Sequence, residues 1–379
     1  MSITRFSFPT TIHFGPGARA LAGPHLHDLG RRRPLIVTDK GLAVLPLIAD
    51  LTASLESAGL AVAVYGGVFG NPTGRQVMSG AAAYKAHEAD CVIGVGGGAA
   101  LDVAKVVGLL ATHPGDVMEY VWDHPQVRPI DAATLPYFIA LPTTSGTGSE
   151  VGRSSVISEE DTHVKRVVFS PAILAKVVFA DPELTLGLPP AVTAATGMDA
   201  LTHNIESYLS PAYHPMCDGI ALEGTRIAAR ALLTAVREPG NLQARADMMM
   251  SSMMGAIAFQ KDLGAVHSCA HALGTVCDLH HGLANALMIE PVMRFNLETE
   301  AAKFAELAHV VGASSGPAFV PWLAHLKQQI GIAPSLASVG VRREQFGRLV
   351  EIATADICHQ TNPRACTAAD FERFFVEAY

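Results

Sequence analysis

The stretch Asp90–Lys105, DCVIGVGGGAALDVAK, decides the fold. CVIGV is a near-continuous apolar run, as expected of a strand buried on both faces. Gly96, Gly97 and Gly98 follow and run directly into a helical pattern. Glycine lets backbone approach a ligand closely, and the helix start beyond it offers unpaired N–H groups to a pyrophosphate. The spacing is not GxGxxG, so a plain tight turn is the rival account. Position at a strand's carboxyl end, where open α/β sheets bind ligands, favours the phosphate account.

Working outward, RPLIVTD, LAVAVYGGV and PYFIALPTT are further β-prone runs. LAVLPLIADLTASLESAG and GRQVMSGAAAYKAHEAD supply amphipathic helices between strands. This alternation predicts a parallel sheet covered on both faces. The N-terminal MSITRFSFPTTIHFG also alternates like a strand. After about Pro182 strand signals vanish and helical periodicity takes over, with Pro189–Pro190 opening the first helix. The expectation is an α/β domain over residues 1–185 and an all-helical domain over 186–379, with a site in the cleft between them.

A second loop, PTTSGTGSE, follows the strand PYFIAL. Thr143, Thr144, Ser145, Thr147 and Ser149 offer hydroxyls there, and Gly146 and Gly148 offer access; a hydrophilic turn is the bland alternative. Asp39 ends LIVTD, where a carboxylate accepts from a ribose 2′-hydroxyl and repels a 2′-phosphate, favouring NAD over NADP.

The chain has 379 residues, 49% hydrophobic and 16% charged, enough apolar material for two cores. Its formal net charge of -8 argues against nucleic acid as a partner. The sequence predicts no membrane span and no signal peptide. Six cysteines without CxxC spacing read as reduced thiols in the cytoplasm.

The helical half carries TGMDALTHNIES, GAVHSCAHALG and DLHHGLANAL. Asp199 and His203 are four apart, on one helical face. With His267 and His281 they make one carboxylate and three imidazoles, a set suited to Fe(II) or Zn(II). Spacing leaves His271, an i, i+4 partner of His267, and His280, next to His281, open as alternatives.

GGGAALDVAK, PTTSGTGSE, DPELTLGLPP, TGMDALTHNIES, AVHSCAHALG, HHGLANALM and TNPR, in this order along nearly the whole chain, resemble the iron-containing (group III) alcohol dehydrogenases. The resemblance implies a dehydroquinate synthase-like fold, with a Rossmann-like dinucleotide-binding domain followed by a helical metal-binding domain. It implies Asp199, His203, His267 and His281 as the metal ligands, iron being the first choice and zinc fitting the same donors. His271 becomes the proton-relay residue. On the cofactor side it implies Asp39 at the ribose, Gly97 and Gly98 at the pyrophosphate, Thr143 and Thr144 near the adenosine half, and Asn71 and Lys165 flanking the NAD. Phe259 and Cys358 resemble pocket-lining positions, with ordinary core packing as the alternative. Ala99 departs from the family's usual serine and removes one hydroxyl donor, worth on the order of 1 kcal/mol. Asp102 and Lys105 belong to the loop's pattern as a supporting helix-face pair.

The implied activity is hydride transfer between a primary alcohol or hydroxyacid and NAD, by a homodimer or larger homo-oligomer. The alternatives are a hydroxyacid–oxoacid transhydrogenase that retains its NAD, and a cyclising lyase using metal and NAD. The lyase needs a basic cluster for a substrate phosphate, which the motifs lack. Lys261 and Arg294 are the nearest sequence candidates for anchoring a substrate carboxylate, and their scarcity favours a neutral alcohol or diol.

Overall fold

The computed structural model describes Phe8 and residues 10–379. Residues 1–7 and 9, which hold much of the alternating N-terminal segment, lie outside the described residues. Two compact units result: Phe8–Thr144 with Ser149–Thr185, and Leu186–Tyr379 with the short insert Ser145–Gly148. A single cut near 185 therefore misses that the middle of PTTSGTGSE belongs with the helices. Gly146 and Gly148 explain why: a Cβ on Gly146 would lie 2.9 Å from Thr196 Cβ, and one on Gly148 2.3 Å from Ala256 Cβ.

In chain order the first unit runs β1 (Thr11–Phe14), α1 (Ala22–Asp28), β2 (Pro34–Asp39), α2 (Pro46–Ser57), β3 (Ala63–Val68), α3 (Gly74–Ala86), β4 (Cys91–Gly96), α4 (Gly98–Thr112), β5 (Tyr137–Pro142), β6 (Ser154–Ser158), β7 (Lys165–Phe169) and β8 (Val177–Ala180). Six strands form one sheet in the order β1-β8-β5-β4-β2-β3, and β6 with β7 makes a separate antiparallel hairpin. Every pairing in the large sheet is parallel. The four strands expected from the sequence are present. The additional β8 is four residues long and pairs with β1, more than 160 residues earlier, so no local pattern announces it.

Ile36, Ile93, Val95, Ile139, Leu141 and Phe179 pack with Leu51 and Leu55 of α2 in one buried cluster. Strand order reverses at β2: the chain steps outward to β3, then returns to β4 on the other side. Such a switch point opens a crevice at the strands' carboxyl ends. Register brings the ends level, since Val37 pairs with Gly94 and Gly96 with Pro142. Asp39, the glycine loop and Thr143 consequently emerge side by side.

The second unit is helical among the described residues: α5 (Pro190–Leu209), α6 (Pro215–Arg237), α7 (Leu242–Ala258), α8 (Ala265–Cys277), α9 (His281–Leu297), α10 (Ala301–Val311), α11 (Phe319–Gln329), α12 (Phe346–Ala355) and α13 (Ala368–Glu377). Proline at position 190 opens α5, where its missing N–H costs nothing. From Gly197 to Leu209 every residue of α5 is buried. A helix buried nearly all round belongs in a core, and α5 is the central member against which α6, α7 and α9 pack. Its polar positions, Asp199, His203 and Glu206, are therefore buried and need partners.

Candidate active site: a metal-ligand cluster and a glycine loop

Asp199 and His203 come from α5, His267 from α8 and His281 from the first position of α9. Their donor atoms all lie within 4.8 Å of one another. Asp199 Oδ1 stands 3.8 Å from His203 Nε2, 3.9 Å from His267 Nε2 and 3.4 Å from His281 Nε2. These separations are too long for hydrogen bonds. They are close to the edge of a tetrahedron, since ligands about 2.1 Å from a common cation sit about 3.4 Å apart.

The protonation pattern points the same way. His267 Nδ1 donates to Glu206 Oε2 at 2.6 Å, both side chains being 1% exposed, which leaves the Nε2 lone pair facing the cluster. Burial pushes the His203 pKa down to about 4, with Asp199 opposing, so this imidazole is neutral near pH 7. Asn285 Nδ2 donates to Asp199 Oδ1 at 2.7 Å and lies 3.3 Å from Nε2 of both His267 and His281. One amide thus serves several converging acceptors, a focus of lone pairs that a divalent cation satisfies. The residues fit a metal on these grounds. His281 is 28% exposed whereas the other three donors are 5% or less, which leaves one open side as a catalytic metal needs.

His271, one turn after His267 on α8, stacks on His281 with ring centroids 5.5 Å apart. Its Nδ1 donates to Asp356 Oδ2 at 2.7 Å. Asp356 also accepts from Ser268 Oγ and the Cys358 backbone N–H, each at 2.8 Å. Opposing its burial, the His271 charge and these bonds hold the Asp356 carboxyl well below the usual range. Phe259, in the turn after α7, lies 5.3 Å from the His203 ring, and Cys358 groups with His271 and Asp356. Neither expected carboxylate anchor is available here. Lys261 is buried and pairs with Asp218, and Arg294 pairs with Glu377 at 3.0 Å.

In the sheet unit, Asp39 Oδ1 accepts from Leu42 N at 2.9 Å. Its Oδ2 lies 3.5 Å from where a Cβ on Gly96 would sit, with Gly96 at φ +146°. Thr143 N donates to Gly96 O at 3.0 Å, and a Cβ on Gly97 would meet Thr144 Oγ1 at 3.2 Å. Asp39, Gly97, Gly98, Thr143 and Thr144 are thus neighbours around the start of α4, a 15-residue helix whose first position is Gly98. Asn71 and Lys165 form a second group: Lys165 pairs in register with Ser158, whose N–H donates to Pro72 O at 2.7 Å. Lys105 and Asp102 lie behind the loop. Lys105 Nζ, fully buried, contacts Asp102 Oδ1 at 3.3 Å and donates to Ser149 Oγ at 2.7 Å and Ser154 O at 2.6 Å.

Three further residues, Glu206, Asn285 and Asp356, support the site without being ligand candidates by motif. Two carried a signal: Glu206 continues the face of Asp199 and His203, three residues on, and Asn285 lies four after His281. Asp356 had none, because the fold brings it to His271 from 85 residues away.

The chain matches the model for iron-containing alcohol dehydrogenases over residues 9–182 and the C-terminal model of the same family over residues 193–379. It is 38% identical to a 4-hydroxybutyrate dehydrogenase of Cupriavidus necator, over 97% of this chain and 98% of that one. Identity to a 1,3-propanediol dehydrogenase of Klebsiella pneumoniae is 37% over the full length of both. Among solved structures, sulfoacetaldehyde reductase from Bifidobacterium kashiwanohense in complex with NAD+ superposes with a TM-score of 0.92 at 28% identity, covering 100% of this chain and 99% of that one. The chain belongs to the iron-containing alcohol dehydrogenase family and is an NAD-dependent oxidoreductase of alcohols and aldehydes.

Proposed function

We propose that this enzyme interconverts a neutral primary alcohol or diol and its aldehyde, with Fe(II) held by Asp199, His203, His267 and His281. The observation that carries the proposal is the convergence of three imidazole nitrogens, of His203, His267 and His281, at 3.4–3.9 Å from Asp199 Oδ1. A cation bound there supplies Lewis acidity toward an alcohol or carbonyl oxygen, and NAD supplies the hydride acceptor.

The chain's own residues do the rest. Glu206 fixes the His267 tautomer, and the exposed side of His281 admits substrate. His271, with Nδ1 committed to Asp356, takes or returns a proton at Nε2. Asp39 accepts from a ribose hydroxyl, which selects NAD over NADP. Gly97 and Gly98 receive the pyrophosphate at the α4 N-terminus. Thr143 and Thr144 border the adenosine half, Asn71 and Lys165 flank the cofactor, and Phe259 and Cys358 line the pocket. Zinc suits the same donors; iron is preferred on the family match.

A cytoplasmic location is part of the proposal, supported by six free cysteines. Assembly as at least a homodimer is also part of it. It is supported by β1, a sheet-edge strand among the described residues, whose outer side a second copy can cover.

The test is NADH release from a panel of primary alcohols, measured anaerobically before and after chelation. Activity that is lost on chelation, restored by Fe(II) and decaying in air is expected. A metal-replete protein that never releases NADH would refute the proposal and point to a retained cofactor.

A further inference from the structure

Asp262 closes the turn after α7 with φ 64° and ψ -177°. That backbone region is essentially confined to glycine, and other residues persist there only when their surroundings dictate it. Here they do. Lys261, immediately before, is buried with Nζ on Asp218 and on the Tyr208 carbonyl, while its own carbonyl accepts from Ser210 Oγ at 2.5 Å. Immediately after, the Leu263 carbonyl accepts from Thr361 Oγ1 at 2.8 Å. Gly264 follows so tightly that a Cβ on it would lie 2.6 Å from Glu206 Oε1. The turn is thus clamped between the core, the Cys358–Thr361 segment and the carboxylate that orients His267.

An aspartate kept where glycine would relax the backbone calls for a use. The side chain is exposed. Asp262 N donates to Phe259 O at 2.8 Å, in the turn whose Phe259 faces His203. The Thr361 hydroxyl that bonds the Leu263 carbonyl lies 3.1 Å from the Cys358 carbonyl as well, so Cys358 borders the same turn; its thiol is pushed up by burial and then by the charges of Asp356, Glu206 and Asp262. The residues around the ligand cluster therefore present carboxylates, while the neighbouring cation, Lys261, is turned into the core.

Building on the proposed alcohol dehydrogenase function, we infer that Asp262 is a specificity residue that selects against substrates bearing a carboxylate. Its charge stands beside the pocket wall made by Phe259 and Cys358 and repels the acid end of a short hydroxyacid. A diol of the same length meets no such repulsion and can donate its second hydroxyl to Asp262. The 4-hydroxybutyrate and 1,3-propanediol dehydrogenases among the relatives mark the two substrate classes that this residue would separate.

The experiment compares kcat/KM for 4-hydroxybutyrate and 1,3-propanediol in the wild-type holoenzyme, Asp262→Asn and Asp262→Gly. The wild type is expected to favour the diol. Both variants should raise the hydroxyacid-to-diol ratio on the order of tenfold, the scale of removing one like charge within about 10 Å at an effective dielectric near 20. Asp262→Gly should also raise Tm. Active variants with an unchanged ratio, or a wild type that prefers 4-hydroxybutyrate, overturn the inference and leave the dehydrogenase function standing. A wild type that releases NADH from neither alcohol strikes out the function first, and the inference with it.

Discussion

Glu206 accepts the Nδ1 proton of His267 at 2.6 Å inside the core, where neither side chain meets solvent. The same carboxylate accepts from the Val266 N–H at 2.8 Å, so the start of α8 and its histidine are oriented by one residue of α5. Glu206→Gln weakens that acceptor and leaves the tautomer less fixed. Iron affinity, measured by anaerobic competition with a chelator, should fall on the order of 10- to 100-fold. Unchanged affinity would show that His267 needs no such support.

Gly282 follows His281 where α9 meets α5. A Cβ there would lie 2.2 Å from the Ala195 carbonyl oxygen and 3.3 Å from Asp199 Cβ, so Gly282→Ala must push the two ligand-bearing helices apart. The expected cost is about 1–3 kcal/mol of stability, with weaker metal binding. Gly219→Ala, on α6 with nothing within 4 Å, is the control and should stabilise by roughly 0.5–1 kcal/mol. Equal Tm shifts for the two would contradict the packing argument.

Asp356 holds His271 through Nδ1 and is itself fixed by Ser268 and the Cys358 N–H. If His271 moves the proton, His271→Ala should lower kcat on the order of 100-fold, with a smaller change in KM. Asp356→Asn should lower kcat in the same direction by less. A fall confined to KM would assign both residues to binding.

Lys105 sits without solvent contact between Asp102, Ser149 and the Ser154 carbonyl. Lys105→Met leaves Asp102 buried beside an apolar chain. A loss of about 3–5 kcal/mol is expected by chemical denaturation, the scale for breaking a buried pair from one side. The glycine loop rests on this network, so NAD affinity should fall too; a stable variant would show that the pair is dispensable.

Glu150, at the end of the second loop, is buried, and burial raises its pKa to about 7. The folded state then holds its proton more tightly than the unfolded chain. The stability this contributes is full below about 4.5 and is lost as pH rises through about 7. Glu150→Gln should remove that loss, so the variant's Tm relative to wild type should rise between pH 5 and pH 8. A difference that does not vary with pH would contradict it.

These residues also show what was legible beforehand. Long apolar strands such as CVIGV and the Pro-opened α5 carry their structure in local pattern, and so does the i, i+4 pair Asp199 and His203. β8 and the β6–β7 hairpin do not, because five residues or fewer give little periodicity, and β8 pairs with a strand more than 160 residues earlier. That Asp39, Gly97, Gly98, Thr143 and Thr144 would lie close together was readable because they sit at or just after the ends of neighbouring strands. Asp356 and the turn at Asp262 were not. One owes its role to a contact across 85 residues, the other to a backbone conformation that composition does not reveal.

The central claim is the four-residue metal centre, and anaerobic metal analysis of the wild type beside Asp199→Ala and His203→Ala tests it most directly. One iron per chain in the wild type, absent from both variants while their circular dichroism is unchanged, is the predicted result. A wild type that takes up neither Fe(II) nor Zn(II), or variants that keep a full complement of iron, would contradict it.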